Sequence, residues 1–419
     1  MITAYNSEMN LMKYKFLLLI PIFYLWLFSG CGVSHEDVSE SDSKKAILVL
    51  RINKIAESTR TEKEETTDVS EEISSLRVII INERNLIEVN HHILSKDFSS
   101  SSTDNIHTFT QQIEPGWKKV FLLANEEKVK DFSAMSVSEG TSLTELLDSY
   151  ENKLLNGQEL MELLNSISFS PTYPITDNSV TLPYSSFYDI LLEAGKTYER
   201  PMYLIPVATK YSVNISNMRK DKVFIKELYI NSIADQNYLM PKVGEDSYFM
   251  NGTYWIDWLA AVADKSHENV DFEDNVKFNE EWGWIMDYQL PEGVHTPFNL
   301  IPESGVYVDA QSNPEVGGDP VPGYLNIPVF YLPESRNLTT NGKNLSVQSY
   351  SIKMIAQSDG SSEEVTLTRS LSNVKALFRN THLILNIDFS EGYMHVYGEI
   401  VGWGILDTVN GYVTEETEQ

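Results

Sequence analysis

Few residues in this 419-residue chain have types and spacing suited to chemistry. The chain contains one cysteine, Cys31. It therefore has no internal disulfide and no thiolate cluster for zinc or iron–sulfur. His91 and His92 are the only adjacent histidines. On a strand they would point to opposite faces and could not share one metal, so they read as a surface pair. The segment Asp271-Phe272-Glu273-Asp274-Asn275 alternates oxygen ligands as a calcium loop does, but Val276 stands where the sharp turn requires glycine. Trp282 stands where a bidentate glutamate would close the shell, so a solvated acidic loop is expected. Trp255, Trp258, Trp282 and Trp284 have faces that could stack on sugar rings, although tryptophans in a loop-rich stretch more often pack against the core. The G-x-S-x-G, H-E-x-x-H, P-loop and G-x-G-x-x-G patterns are all missing. No carboxylate pair stands out among the acids for glycoside hydrolysis. The expectation is a protein with no catalytic residue, no metal site and no cofactor.

Sixty acidic and 32 basic side chains leave a formal net charge of −28, which argues against nucleic acid as a partner, because binding phosphates requires a basic patch. Hydrophobic residues at 42% and charged residues at 22% are a globular composition. Near the N-terminus, Lys13 and Lys15 precede an apolar run over 16–28, followed by Ser29-Gly30 and Cys31. That is the order of a secretory signal, with Met12 as a plausible alternative start. The run is shorter than the ~20 residues needed to span a membrane. Leu27-Phe28-Ser29-Gly30-Cys31 resembles a bacterial lipobox, which implies cleavage between Gly30 and Cys31, acylation of Cys31 and anchoring of the precursor in the outer membrane. Residues 31–45 are polar and acidic and read as a flexible tether. Early acids after the cysteine also resemble surface-export signals of Bacteroides-type lipoproteins.

Alternating apolar residues predict strands over 46–52, 76–81, 86–89, 108–113, 119–124, 179–182, 201–207, 211–215 and 223–230. Further strands are expected over 350–356, 364–368, 382–389 and 395–401. On the first of these, Ala46, Leu48, Leu50 and Ile52 share a face. Ser142 and Glu145 have capping-box spacing ahead of a helix presenting Leu143, Leu146, Leu147 and Tyr150, and a second short helix is expected over 159–164 after a break at Gly157. Residues 231–333 read as loop-rich. Many short strands with polar turns predict an all-β protein of two sandwiches, with a boundary near residue 208.

Several segments, in order, resemble the Bacteroides/Porphyromonas fimbrillins of FimA type. They are the Cys31 lipobox, the strand 46–52 followed by Ser58-Thr59-Arg60-Thr61, and the stretch from Glu114 through Trp117-Lys118-Lys119 to Ala124-Asn125. The others are 205–213, Phe330-Tyr331-Leu332-Pro333-Glu334 and Arg379-Asn380-Thr381-His382. The resemblance implies tandem transthyretin-like β-sandwich domains over 46–207 and 208–419, the first with a removable first strand, after a signal peptide over 1–30. It also implies trimming between Arg60 and Thr61 by an Arg-specific protease. Assembly with other fimbrial subunits by strand exchange into an adhesive surface fimbrium would follow, with host or bacterial surface receptors as further partners. Residues 403–413 are the expected donor strand. One departure is that 205–209 lacks the arginine often seen before the domain junction. The competing reading is a surface lipoprotein that captures glycans through its Trp-rich loops, or an anchor or tip subunit.

Overall fold

Apolar alternation makes most of the visible chain strand. The structure, a computed structural model, describes residues 45–54, 73–94, 106–134, 140–150, 156–169, 181–231, 233–234, 236–241, 297–312, 320–335, 338–340, 345–347, 350–371, 377, 379–390 and 393–402. The first ten elements are β1 (Ala46–Lys54), β2 (Ser75–Asn82), β3 (Ile87–Leu94), β4 (Ile106–Ile113), β5 (Gly116–Ala124), α1 (Leu143–Asp148), α2 (Gly157–Ser166), β6 (Ser168–Phe169), β7 (Tyr184–Leu192) and β8 (Thr197–Pro206). Seven of the strands form one path, β3-β2-β5-β7-β8-β1-β4. β7 and β8 pair only at Tyr184 with Pro206 and Ser185 with Ile205, after which β8 takes β1 as its partner. The inner faces of β1 and β8 thereby pack on Leu76, Val78 and Ile80 of β2 and on Val120 and Leu122 of β5. Every residue of β2 is buried, because Ile79 and Ile81 on its other face lie beneath the two helices.

The helices depart from the sequence expectation in two ways. Ser142 precedes α1 but makes no side-chain cap, so Leu143, Leu147 and Tyr150, all buried, hold this short helix by packing. Gly157 opens α2 rather than breaking it. A Cβ there would come within 2.5 Å of the Asn85 carbonyl oxygen, and the Gly157 amide donates to that same carbonyl at 3.1 Å. Of the expected strand over 179–182, residues 179 and 180 lie outside the described residues and 181–182 are not strand; the described strand here, β7, begins at Tyr184. Beneath α1 the buried Arg77 guanidinium donates to Glu126 Oε2 and Oε1 (2.8 Å each), Asn90 Oδ1 (2.8 Å) and Asp148 Oδ1 (2.6 Å).

The remaining strands are β9 (Thr209–Asn217), β10 (Val223–Asn231), β11 (Asn237–Tyr238), β12 (Phe298–Asn299), β13 (Val306–Val308), β14 (Gly323–Leu332), β15 (Leu338–Thr340), β16 (Leu345–Val347), β17 (Ser351–Ser358), β18 (Glu364–Ser370), β19 (Thr381–Ser390) and β20 (Tyr393–Gly402). They form a β14-β9-β19-β20 sheet and a β12-β10-β17-β18 sheet with β13 also on β10. Tyr211, Val213, Ile215, Leu383, Leu385 and Ile387 of the first face Ile225, Leu228, Ile352 and Met354 of the second. The ten-residue β14 lies in the stretch expected to be loop. Its outward Tyr324 and Asn326 alternate with Leu325 and Ile327, and a bulge between Ile327 and Phe330 then breaks the alternation.

Val207 and Ala208, both buried, join β8 to β9. A fully buried ion pair sits beside them. Arg379 Nε donates to Glu334 Oε1 at 3.0 Å and its backbone amide to Glu334 Oε2 at 3.1 Å, while a second guanidinium nitrogen makes a shorter contact with the same carboxylate. The guanidinium also reaches Ser185 Oγ (3.2 Å) on β7 and the carbonyls of Leu239 (3.1 Å) and Tyr238 (2.7 Å). One side chain thus ties the first sheet, β11 and the segment after β14 together.

Removing one partner of such a pair leaves an uncompensated buried charge. Arg379→Met or Glu334→Leu alone should each cost about 3–5 kcal/mol, and the double substitution distinctly less than their sum, as read by urea unfolding of all four forms.

On the outward face of β19, His382 accepts or donates at 2.7 Å to Ser212 Oγ. Burial, and secondarily the charge of Lys210, hold its pKa down to about 3. The ring stays neutral in the fold, while the unfolded chain takes up a proton below about 6.5. Stability from this group is therefore complete above pH ~6.5 and is lost as pH falls toward about 3, by at most ~1.4 kcal/mol per pH unit and less because the ring keeps some solvent contact. His382→Gln should flatten that part of the acid limb in denaturation measured between pH 7 and 4.

Candidate functional site

The feature that stands out is the slot filled by β1. The sequence Ala-Ile-Leu-Val-Leu-Arg-Ile puts Ala46, Leu48, Leu50 and Ile52 on one face, and all four are completely buried. β1 is no edge strand. It pairs antiparallel with β4 from Ala46–Ile113 to Asn53–Ile106, and parallel with β8 from Ile47–Thr197 to Lys54–Leu204. The Ile47 amide also donates to the Lys196 carbonyl at 3.0 Å. Both rows of backbone groups on β1 are thus satisfied by strands distant in sequence. Its other face is half-exposed at Ile47 and Val49, and exposed at Arg51, which makes an ion pair with Glu199 of β8. Lys45, just ahead of the strand, lies 3.6 Å from Glu114.

At ~1.5–3 kcal/mol for each large aliphatic side chain, Leu48, Leu50 and Ile52 contribute roughly 5–9 kcal/mol of burial. That is comparable with the whole net stability of a typical domain, about 5–15 kcal/mol. A body deprived of β1 would expose the inner apolar floor of the slot and two bare strand flanks, along β4 and β8. The pairing partners of β1 lie more than 50 residues further along the chain, and no local pattern announces them.

Gly30, Cys31, Arg60 and Thr61 lie outside the described residues, as do the four tryptophans, the acidic segment 271–275 and the expected donor segment 403–413. His91 and His92 lie on β3, the first exposed and the second half-buried, its Nε2 3.7 Å from Glu126 Oε1. Among the described residues no group of three or more His, Cys, Asp or Glu is placed to hold a metal ion. No described helix is long and apolar enough to cross a membrane. The segments 330–334 and 379–382, separate in sequence, meet through the Glu334–Arg379 pair.

The geometry defines a mainly β protein whose first strand is enclosed by later ones. Residues 46–161, which run from β1 into α2, match the family described as major fimbrial subunit protein (FimA). That family is a structural fimbrial subunit family and not an enzyme family. No curated protein matches the chain. Among solved structures the chain is similar to the tip fimbrial protein Mfa3 from Porphyromonas gingivalis with C-terminal truncation, at 13% identity over 86% of this chain and 100% of that one, with a TM-score of 0.46. It is also similar to a fimbrial assembly protein from Parabacteroides distasonis, at 10% identity over 84% of this chain and 93% of that one, with a TM-score of 0.39.

If the slot is selective for this strand, a chain starting at Thr61 should melt well below the full chain, and a synthetic peptide of residues 45–54 should restore most of the loss. A peptide carrying Leu48→Asp and Leu50→Asp should restore none of it, because burying each carboxylate costs more than the aliphatic contributes. Calorimetry with both peptides is the measurement.

Proposed function

We propose that the chain is a structural subunit of an adhesive cell-surface fimbrium, made as a lipoprotein anchored in the outer membrane through Cys31 and activated by removal of its first strand. The observation that carries this reading is the enclosure of β1 between β4 and β8 with its apolar face wholly buried. The family match over 46–161 begins at the first residue of that strand. In this reading the chain forms two tandem domains, 46–207 and 208–419, joined where β8 passes into β9. An Arg-specific protease cuts between Arg60 and Thr61, in the polar stretch that follows β1, and releases the strand with its tether. Arg51 is the poorer target, because its backbone is held on both sides by the sheet. A strand of a second subunit then fills the slot by β-augmentation, burying its own apolar face and pairing both flanks. Residues 403–413, with Ile405, Val409 and Val413 at alternate positions on one face, are the proposed donor.

The test uses purified precursor treated with an Arg-specific protease and observed by electron microscopy and denaturing gels. Wild type should be trimmed and form filaments. Arg60→Ala should stay full length and monomeric. Deletion of 406–419 should permit trimming and abolish filaments. Filaments from either variant would overturn the corresponding step.

A further inference from the structure

We propose that the end of the body at which β1 begins is a membrane-contacting face of the anchored precursor, with Trp117 and Leu191 seated among lipid headgroups. This rests on the lipid anchor at Cys31 proposed above. Lys45, the β4–β5 turn and the β7–β8 turn all lie at this end, as the Ala46–Ile113, Gly116–Leu192 and Ile47–Thr197 pairings require. Trp117 and Leu191 are directly opposite each other on β5 and β7. They are 52% and 45% exposed, whereas Phe121 and Phe187, further along the same face, are buried in the core beneath the helices. The helices thus cover the middle of this face and leave its end bare.

What lies opposite that end follows from the chain. Thirteen residues, 32 to 44, separate Cys31 from Lys45. Thirteen residues reach at most about 45 Å even fully extended, so acylation of Cys31 would tether the body to the bilayer by this end. Tethering raises the local concentration of lipid enough for a small patch to bind. An indole with an apolar body and one N–H suits the headgroup layer, and Leu191 extends the apolar contact. The electrostatics permit the approach. In a chain of net charge −28, three of the acids here are matched by lysines, Glu114 by Lys45 (3.6 Å), Asp189 by Lys119 (3.3 Å) and Glu193 by Lys196 (2.6 Å), while Glu83 of the β2–β3 turn lies exposed beside Gly116. Cutting at Arg60 would release the body from tether and bilayer together.

The experiment replaces the acyl group so that its outcome is independent of lipidation. The mature chain with Cys31→Ser and an N-terminal hexahistidine tag is bound to phosphatidylcholine vesicles containing nickel-chelating lipid. A polarity-sensitive dye is placed on Leu191→Cys or, as the control, on Tyr324→Cys, an exposed position on β14. Emission at position 191 should rise and shift to the blue on vesicle binding, and at position 324 it should not change. Adding Trp117→Glu should lower the membrane-inserted fraction about tenfold, with the circular dichroism spectrum unchanged. Unchanged emission at 191 on vesicles that carry the protein, or an equal rise at 324, would overturn the proposal. So would an equal rise at 191 when protein concentration is increased without vesicles, which would assign the patch to a second copy. Failure of Cys31→Ala to leave the membrane fraction of cells would instead overturn the anchor reading and leave this measurement standing.

Discussion

The structure depends on backbone hydrogen bonding at β1. A strand inside a sheet must satisfy donors and acceptors on both sides, and here β4 supplies one row and β8 the other. Were β1 at an edge, its loss would cost side-chain burial and little else. As an interior strand it also completes its two neighbours, so the body cannot be whole without some strand in that place. The requirement is for an extended segment with apolar residues at alternate positions, and it does not specify which chain provides it. The strand exchange proposed above needs that indifference.

Two buried arginines give the rest of the body its fixed points. Arg77 draws β3, the turn after β5 and the end of α1 onto β2 through Asn90, Glu126 and Asp148. Arg379 draws β7, the β11 segment and the residues after β14 together near Ala208, whose carbonyl also accepts the Asn380 amide at 3.1 Å. Buried ion pairs add little net stability, but they are intolerant of mispairing, because any other arrangement strands a charge away from water. They specify how the sheets meet more than they strengthen the meeting. Arg77 lies on the face of β2 opposite Leu76, Val78 and Ile80, the residues that pack with β1.

Most strands were legible because their faces differ: the alternation in 46–52, 211–215 and 382–389 reappears as alternating burial in β1, β9 and β19. The misreadings share a cause. β14 was hidden within a stretch rich in turn signals, and its bulge interrupts the period that would reveal it. β7 was displaced because Ser185 and Ser186, polar yet buried, do not read as core. Gly157 was taken as a break because a close approach by the Asn85 carbonyl cannot be seen from sequence. Glu334 and Arg379 each fell within a segment noted for its family resemblance, and nothing local indicated that they pair across 45 residues.

The sequence by itself determined the strand character of the chain, the apolar face of its first strand, the lone cysteine behind a signal-like run and the overall acidity. These are properties of composition and short period, and they hold for any fold the chain could adopt. Only the tertiary structure decided that the first strand is interior, which later strands enclose it, and where the buried charges meet. Those outcomes depend on pairings between residues tens to well over a hundred positions apart, set by which apolar faces can be covered together and by the need to leave no buried backbone group unpaired.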